Sequence, residues 1–334
     1  MNDDEPRQRR VAGLEGLPPA PPMSPRKWAT YLQYRAVWAA AARLPDALAW
    51  RAPDPIGDVW YRLAPRRQRN QVRSNQARAA GRSPRRELDR LVRDAYRSYA
   101  RYWLDSFRVH TLDPDDVLAR TEDVNTRILD EVRSDGRGAI LATGHLGSWE
   151  IGAFFSTQRD WRLTVVAELL EPRRLFDRFV ELRRALGLEV IPLVRGGDAV
   201  GRLEQVVRDG GTATLLADRD LTGTGPIVTF FGEPCRMPPG PAALARRTGR
   251  PVVPGACFTT PRGWRAVVHE PLDIAHLPVL DGTQQIAQAL ERLIGLAPEQ
   301  WHVFVPNWLV DREPDHSLLR GGDDREPPIS GEPR

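Results

Sequence analysis

Between residues 128 and 258 the chain alternates short apolar runs with segments of helical periodicity, and this alternation constrains its fold most. The apolar runs are predicted as buried strands, at 139–143, 163–167, 190–194, 212–217 and 252–258. The segments predicted as helices between them are 175–186, 199–208 and 241–248. Such alternation is typical of an α/β layered domain with a largely parallel central sheet. Ligands bind these sheets where the strands end, and His145 and Asp218 each follow a strand end, so both are placed on one rim.

Composition indicates a soluble globular protein without membrane spans. Of 334 residues, 41% are hydrophobic and 28% charged, and the net charge is +4. The first residues lack the basic start and apolar core of a signal peptide, and no run of eighteen apolar residues appears. Two cysteines, Cys235 and Cys257, are too few for a disulfide framework and form no CxxC pattern, so free thiols in a reducing interior are expected.

Three regions precede or follow the α/β pattern. Residues 1–25 are polar and then proline-rich, and residues 313–334 have a similar composition, so we predict a disordered arm and a disordered tail. Residues 26–127 are predicted as a helical, basic, membrane-associating region that leads into the main domain at 128–312. Apart from Lys27, every positively charged side chain in the chain is an arginine.

The N-terminal helical region allows several interpretations. The stretch 28–50, interrupted by Pro45, fits either a helix lying on a membrane surface or one packed on the main domain. The arginine-rich stretch 62–101 would attract anionic lipid or nucleic acid, or would simply be solvated. The aromatic side chains that follow, from Tyr96 to Phe107, favour core packing over a surface for stacking bases.

A histidine at the exit of the first strand is the main catalytic candidate. His145 follows Gly144, and Glu150 comes five residues later, at the second position of a helix that Ser148 would cap. A carboxylate there could accept a hydrogen bond from one imidazole nitrogen and leave the other free to take a proton. Gly144 and Gly147 would allow a tight turn. Alone, an HxxxxE pattern is weak, because a single histidine is more often a core residue.

Further motifs favour a catalytic role for His145 over a role in the core. The chain reads DRD at 218–220, FGE at 231–233 and APEQW at 297–301. With GHLGSWE at 144–150, they resemble the lysophospholipid acyltransferase superfamily and, within it, the late lipid A biosynthesis acyltransferases. The segment 218–254 is most similar to the actinobacterial phosphatidylinositol mannoside acyltransferases. The resemblance covers roughly residues 28–312. That last branch usually has aspartate where this chain has Glu150, which affects the branch more than the reaction.

The resemblance implies an acyltransferase (EC 2.3.1) with a glycerol-3-phosphate acyltransferase-like layered domain. It implies transfer of a long acyl chain from acyl-CoA to a mannose hydroxyl of a phosphatidylinositol mannoside, with His145 as general base oriented by Glu150. It places Glu233, Arg219 and Asp218 in substrate binding. It implies no metal and no cofactor, and no nucleic-acid partner. The protein is then expected on an anionic membrane surface, peripherally bound at the cytoplasmic face of the cell membrane.

Two alternatives stay open at this point. One is a late acyltransferase with the same chemistry that acts on another glycolipid or saccharolipid. The other is a non-catalytic, arginine-rich protein that binds membranes or nucleic acid. The sequence does not indicate the acyl chain length, the hydroxyl that is acylated, the oxyanion donors or the oligomeric state.

Overall fold

The computed structural model describes residue 17 and residues 21–81, 83–194 and 197–312. The predicted arm at 1–25 therefore lies mostly outside the described residues, and the predicted tail at 313–334 lies entirely outside them. Within the arm, Ser24 already caps the first helix, which begins at Pro25.

Within the described residues, six α-helices precede the first strand of the sheet. They are α1 Pro25–Arg43, α2 Asp46–Ala49, α3 Pro53–Leu63, α4 Arg66–Ala79, α5 Arg85–Arg108 and α6 Pro114–Ala119. Proline stands at the first position of each helix or directly before it. Because the first N–H groups of a helix have no intrahelical acceptor, the missing N–H of proline costs nothing there. The sequence thus marks where each of these helices begins.

From Thr121 to Leu216 the described chain alternates strands and helices, as predicted, and beyond Leu216 some strands follow one another without a helix between them. The strands are β1 Thr121–Val124, β2 Ala139–Thr143, β3 Leu163–Glu168, β4 Glu189–Leu193, β5 Thr212–Leu216, β6 Ile227–Phe230, β7 Glu233–Arg236, β8 Val252–Thr260 and β9 Gly263–Val268. The helices are α7 Arg127–Val132, α8 Trp149–Thr157, α9 Arg173–Ala185, α10 Ala199–Arg208, α11 Gly240–Thr248, α12 Val279–Leu296 and α13 Leu309–Arg312.

Seven of the described strands form one sheet in the order β1-β9-β8-β2-β5-β3-β4. Every neighbouring pair is parallel except β8 and β9, which are antiparallel. This confirms a mixed α/β fold with a mostly parallel central sheet preceded by helices. The five predicted strands are all present. The antiparallel pair β6 and β7 forms a separate small hairpin.

Helices cover both faces of the sheet, which explains the continuous apolar runs in its strands. Ile140 and Ala142 pack with α10, α11 and α12 in one core cluster. Ala139, from the same strand, packs with α1, α5, α8 and α9 in a second cluster on the opposite face. Successive residues of a strand point to opposite faces, so a strand buried on both sides needs apolar residues at nearly every position.

The sheet begins earlier in the chain than the sequence indicated. Strand β1 lies inside 26–127, the region assigned to N-terminal helices, and it pairs in parallel with β9. Its sequence is Thr-Glu-Asp-Val, and Glu122 and Asp123 are exposed on the edge of the sheet. A short charged edge strand lacks the apolar run by which the buried strands were recognised.

The N-terminal helices pack on the main domain, and they also expose apolar side chains. Trp38 of α1 is buried against Phe107 of α5 and Phe179 of α9. Trp28 and Leu32, on the same helix, stay exposed. Packing is therefore observed, and it leaves an apolar surface outside. No helix within the described ranges has the length and apolar character needed to cross a bilayer.

The aromatic residues of α5 belong to the core, as expected. Tyr96 is fully buried and contacts Phe304 and Trp60, and Phe107 is 4% exposed. Cys235 and Cys257 are both free and buried, as the expectation of free thiols requires.

Candidate active site

The ends of β2 and β5 bring His145 and Asp218 together on one rim of the sheet. The two strands pair in parallel, and the N–H of Ala217 continues the ladder to the carbonyl of Thr143 at 2.8 Å. The backbone N–H of His145 then donates to Oδ2 of Asp218 at 2.8 Å. The two residues are 73 positions apart in the chain, and the parallel register makes them neighbours. The expected shared rim is confirmed.

The imidazole of His145 is held by the carboxylate of Asp218. Nδ1 lies 2.8 Å from Oδ1 of Asp218, whose side chain is fully buried. An ionised carboxylate can only accept, so Nδ1 carries the hydrogen and Nε2 keeps its lone pair. The His145 side chain is 35% exposed. The ring is thus fixed in one tautomer with its basic nitrogen free for an incoming group.

Two residues near the end of the described chain fix Asp218 in turn. Nε1 of Trp301 donates to Oδ2 of Asp218 at 2.8 Å, and Nδ2 of Asn307 donates to its backbone carbonyl at 3.0 Å. The indole of Trp301 is fully buried. The motif APEQW was noted in the sequence without a role for its tryptophan, and the structure supplies that role. Nothing in the sequence pointed to Asn307.

The electrostatics of the pair favour an ionised Asp218 and a more basic His145. Burial lowers the pKa of His145, but the charge and hydrogen bond of Asp218 outweigh it, so this pKa is raised above its ordinary value. Burial raises the pKa of Asp218, and the His145 contacts together with the Trp301 hydrogen bond more than reverse this, so that pKa is lowered. Asp218 therefore remains a carboxylate, and the His145 imidazole is a stronger base than a free histidine.

The expected hydrogen bond from His145 to Glu150 is not formed. The expectation that Glu150 orients the imidazole is therefore corrected: Asp218 is the carboxylate that holds it. Glu150 does occupy the second position of α8. Its carboxylate points away from the rim, to Nη2 of Arg183 and Oγ of Ser106, both at 3.2 Å. His145 lies in the turn before the helix and faces β5. The helix directs Glu150 towards α5 and α9 instead, so proximity in sequence was misleading.

Glu150 anchors a buried network beneath the site. Its side chain is 1% exposed, and burial raises its pKa, against the opposing effects of Arg183 and Ser106. The Arg183 guanidinium also lies over the ring of Trp149, 4.5 Å from its centroid. Trp149 donates through Nε1 to the hydroxyl of Tyr102 at 3.3 Å. Ser148 precedes α8 as predicted, but among the described residues its hydroxyl has no hydrogen-bond partner, and it does not cap the helix.

A second histidine lies beside the first. The backbone N–H of His302 donates to the carbonyl of His145 at 2.8 Å, and its ring stacks on Tyr99. Burial, reinforced by the charge of His145, lowers the pKa of His302 to about 3. Its Nε2 contacts Oγ of Ser98 at 2.9 Å. His302 thus stays neutral and packs the turn that holds the base.

Comparison with known proteins shows the family of this chain. The family described as bacterial lipid A biosynthesis acyltransferase matches residues 22–310. The chain belongs to that family. A phosphatidylinositol mannoside acyltransferase of Mycobacterium tuberculosis is 37% identical over 307 residues, which cover 90% of this chain and 96% of the relative. One of Mycolicibacterium smegmatis is 36% identical over 284 residues, covering 84% and 92%. The protein is therefore an acyltransferase, and the resemblance predicted from its motifs is confirmed.

The other two predicted binding residues of the acyltransferase occupy different surroundings. Arg219 follows Asp218 directly, and its charge acts on both His145 and Tyr99. Its Nε is buried and has no hydrogen-bond partner among the described residues. Glu233 begins β7 and pairs with Arg78 of α4 at 2.8 Å. Arg219 thus lies close enough to His145 for its charge to lower the pKa of that imidazole. The contacts of Glu233 tie the small hairpin to α4 and do not include the His145–Asp218 pair.

An apolar cavity of the acyltransferase lies under α8, between that helix and the sheet. It holds about 530 Å³, counting its open mouth. Its lining includes Thr143, Trp149, Ala153, Ala256 and Cys257, so it reaches both the end of β2 and the start of α8. Those two elements flank His145. The walls of this space are mostly apolar, and apolar walls suit a hydrocarbon chain.

Proposed function

We propose that this acyltransferase moves a long-chain acyl group from acyl-CoA to a mannose hydroxyl of a phosphatidylinositol mannoside, at the cytoplasmic face of the cell membrane and without metal or cofactor. The observation that carries the proposal is the His145–Asp218 pair, which leaves Nε2 free at the rim of the sheet. The mycobacterial relatives are named for the same acceptor. The proposal includes a glycerol-3-phosphate acyltransferase-like layering of the α/β domain.

In this mechanism His145 is the general base. Its Nε2 takes the proton of the sugar hydroxyl as the oxygen attacks the thioester carbonyl carbon. The resulting tetrahedral intermediate expels the thiolate of CoA, and the imidazolium returns the proton to that sulfur. Asp218 keeps the proton-bearing Nδ1 directed at itself and stabilises the transient positive charge. Attack is direct, so neither cysteine is needed as a nucleophile.

Glu150 has a supporting role in this proposal. Its ion pair with Arg183 holds the guanidinium against the ring of Trp149, and Trp149 lines the apolar cavity. Removing the carboxylate would leave Arg183 unpaired while only 16% of its side chain is exposed. A buried unpaired charge is costly, so Glu150 contributes through the shape and stability of the site.

The cavity under α8 is proposed to take the acyl chain. Leu141 in β2 and Ala256 in β8 lie in central strands, yet they keep part of their surface accessible because they border this space. Each methylene transferred from water into such a cavity is worth about 0.8 kcal/mol. The proximity of Thr143 to the cavity would bring the thioester end of the chain towards His145.

Arg219 is proposed to bind the phosphate of the acceptor lipid. Its unpaired Nε and its charge lie beside the base, and a guanidinium binds phosphate oxygens through two parallel hydrogen bonds. Glu233 is proposed to contact the sugar of the acceptor. Its side chain is 42% exposed, so an oxygen remains accessible despite the ion pair with Arg78.

The first three helices are proposed to hold the enzyme on a membrane. Ile56, Val59 and Leu63 follow one another at helical spacing on a single face of α3, and Leu63 is 79% exposed. The opposite face packs so closely on α5 that a Cβ at Gly57 would lie 2.4 Å from the Cα of Arg97. The apolar face therefore points outward, where a bilayer surface would bury it.

A direct assay tests this function. The purified protein is incubated with palmitoyl-CoA and a phosphatidylinositol mannoside, and the lipids are examined by mass spectrometry. We expect one added acyl group and stoichiometric release of CoA, both lost in His145→Ala with the protein still folded. Acylation of another glycolipid but not of the mannoside would favour the alternative acceptor. CoA release by His145→Ala at the wild-type rate would refute the mechanism.

A further inference from the structure

A second cavity lies on the N-terminal helices, away from the residues that surround His145. It holds about 670 Å³, counting its open mouth. Its lining consists of Tyr61, Arg66, Arg69, Asn70, Arg73 and Val92. The three arginines are spaced three and four residues apart on α4, so they share one face of the helix. Half of the lining is thus positively charged.

The charges of this cavity are only partly balanced. Arg73 pairs with Asp89. Within the described ranges, no acidic side chain pairs with Arg66 or Arg69. The Arg69 guanidinium instead lies over the ring of Tyr61, 5.5 Å from its centroid. Stacking on an aromatic ring fixes the plane of a guanidinium and leaves its N–H groups free for an anion.

The local backbone adds to the positive potential. Arg66 is the first residue of α4, which has no acidic residue in its first turn and no side-chain cap from the part of the chain that the structure describes. The N–H groups of a helix start and its dipole both favour an anion. Asn70 can donate a further hydrogen bond through its amide. Two unpaired guanidinium groups, an amide and an uncapped helix start therefore meet in one concave site.

From this we infer that the cavity formed by Arg66, Arg69, Asn70 and Arg73, together with Tyr61, is a phosphate-binding site separate from the catalytic rim. Its ligand is a phosphate group, and either the headgroup of an anionic phospholipid or a soluble phosphate could provide it. If a lipid provides the phosphate, the inference rests on the proposed membrane function. The arginines would then bind one headgroup at a defined site beside α3, instead of attracting the anionic membrane surface diffusely.

A pair of charge-matched double variants tests this inference. Arg66→Gln with Arg69→Gln removes two charges from the cavity. Arg62→Gln with Arg67→Gln removes two exposed charges from the same part of the chain but outside the lining. Two probes are used on each protein: inorganic phosphate at constant ionic strength, read by thermal unfolding, and vesicles of phosphatidylcholine with or without phosphatidylinositol, read by co-sedimentation. Acyl transfer by each variant is recorded separately.

Three results are distinguishable. A rise in Tm with phosphate that the cavity pair loses and the control pair keeps supports a site for soluble phosphate. No phosphate effect, but vesicle binding that falls at least tenfold further in the cavity pair than in the control pair, supports a lipid headgroup site. Loss of about fivefold per arginine in both pairs alike is what diffuse attraction predicts, and this would overturn the inference. None of these outcomes depends on the catalytic assay, so a failure of the proposed function is seen independently.

Discussion

Replacing Asp218 by asparagine separates the two carboxylates that compete for the role of orienting His145. In the structure Oδ2 of Asp218 accepts N–H groups from the His145 backbone and from Trp301, and Oδ1 accepts the imidazole Nδ1–H. The amide introduced by Asp218→Asn has one oxygen, which the first two donors engage. Its NH₂ group then faces Nδ1 and donates to it. The imidazole must move its hydrogen to Nε2, where it can no longer accept a proton from the substrate.

The size of the effect follows from charge and tautomer together. An opposite charge within hydrogen-bond distance raises the pKa of a histidine, and its removal lets burial dominate, so the pKa of His145 falls. Activity requires neutral His145, so the acid limb of kcat/KM should move to lower pH by about one to three pH units. The wrong tautomer should also lower kcat by about 10²–10⁴-fold, the usual contribution of a general base, and the same change in a serine protease triad lowers kcat by about 10⁴-fold.

The assay is the pH dependence of kcat/KM for CoA release, measured on wild type, Asp218→Asn and Glu150→Gln. Glu150→Gln is the matched control because it removes an equally buried carboxylate that contacts Arg183 and Ser106. We expect it to lower the free energy of unfolding and to leave the acid limb in place. An acid limb that moves in Glu150→Gln and stays unchanged in Asp218→Asn would refute the reasoning and restore Glu150 as the orienting residue.

Three further changes have defined outcomes. Trp301→Phe removes an N–H donor to the buried carboxylate of Asp218. Hydrogen bonds to charged groups are worth about 1.5–3 kcal/mol, so kcat should fall by about tenfold or more in steady-state assays. Trp301→His should restore part of the lost activity. Arg219→Gln should raise the KM for the phosphate-bearing acceptor by about tenfold and change kcat little; an unchanged acceptor KM with a lower kcat would contradict phosphate binding. Ala256→Phe fills part of the cavity under α8, and the loss of two buried methylenes corresponds to about tenfold in kcat/KM for palmitoyl-CoA, while a short-chain acyl-CoA should react as in wild type.

The α/β core was predictable because its signal is local and strong. Strands buried on both faces need continuous apolar runs, and β2, β3, β4, β5 and β8 all have them. β1 was missed because an exposed edge strand with Glu122 and Asp123 shows no such run. The short hairpin of β6 and β7 was missed as well. β6 alternates between exposed and buried residues over only four positions, and the four residues of β7 do not alternate, so neither strand is long or regular enough for a period to appear.

The position of the candidate site was predictable from the sequence, but the hydrogen-bond partner of His145 was not. Parallel strands end on the same rim, and this alone placed His145 near Asp218. The choice of Glu150 rested on nearness in sequence, and the direction in which a helix projects a side chain cannot be read without knowing where its axis points. Arg183 was missed for the same reason. It lies on α9, and its contact with Glu150 depends on how two helices pack.

The position of the base depends on chain segments that fold against it from far along the sequence. The N–H of Gly147 donates to the carbonyl of Gln300 at 2.9 Å, and the N–H of Ser148 donates to that of Cys257 at 2.8 Å. Gly147 has a φ of 55°, and a Cβ there would lie 2.1 Å from the Cys257 oxygen, so only glycine lets the turn approach β8 this closely. Trp301 completes the enclosure by binding Asp218. Because the turn and its carboxylate are both held by residues near position 300, the imidazole reaches its working geometry only once that segment has packed. Packing after α12 is thus part of building the catalytic pair.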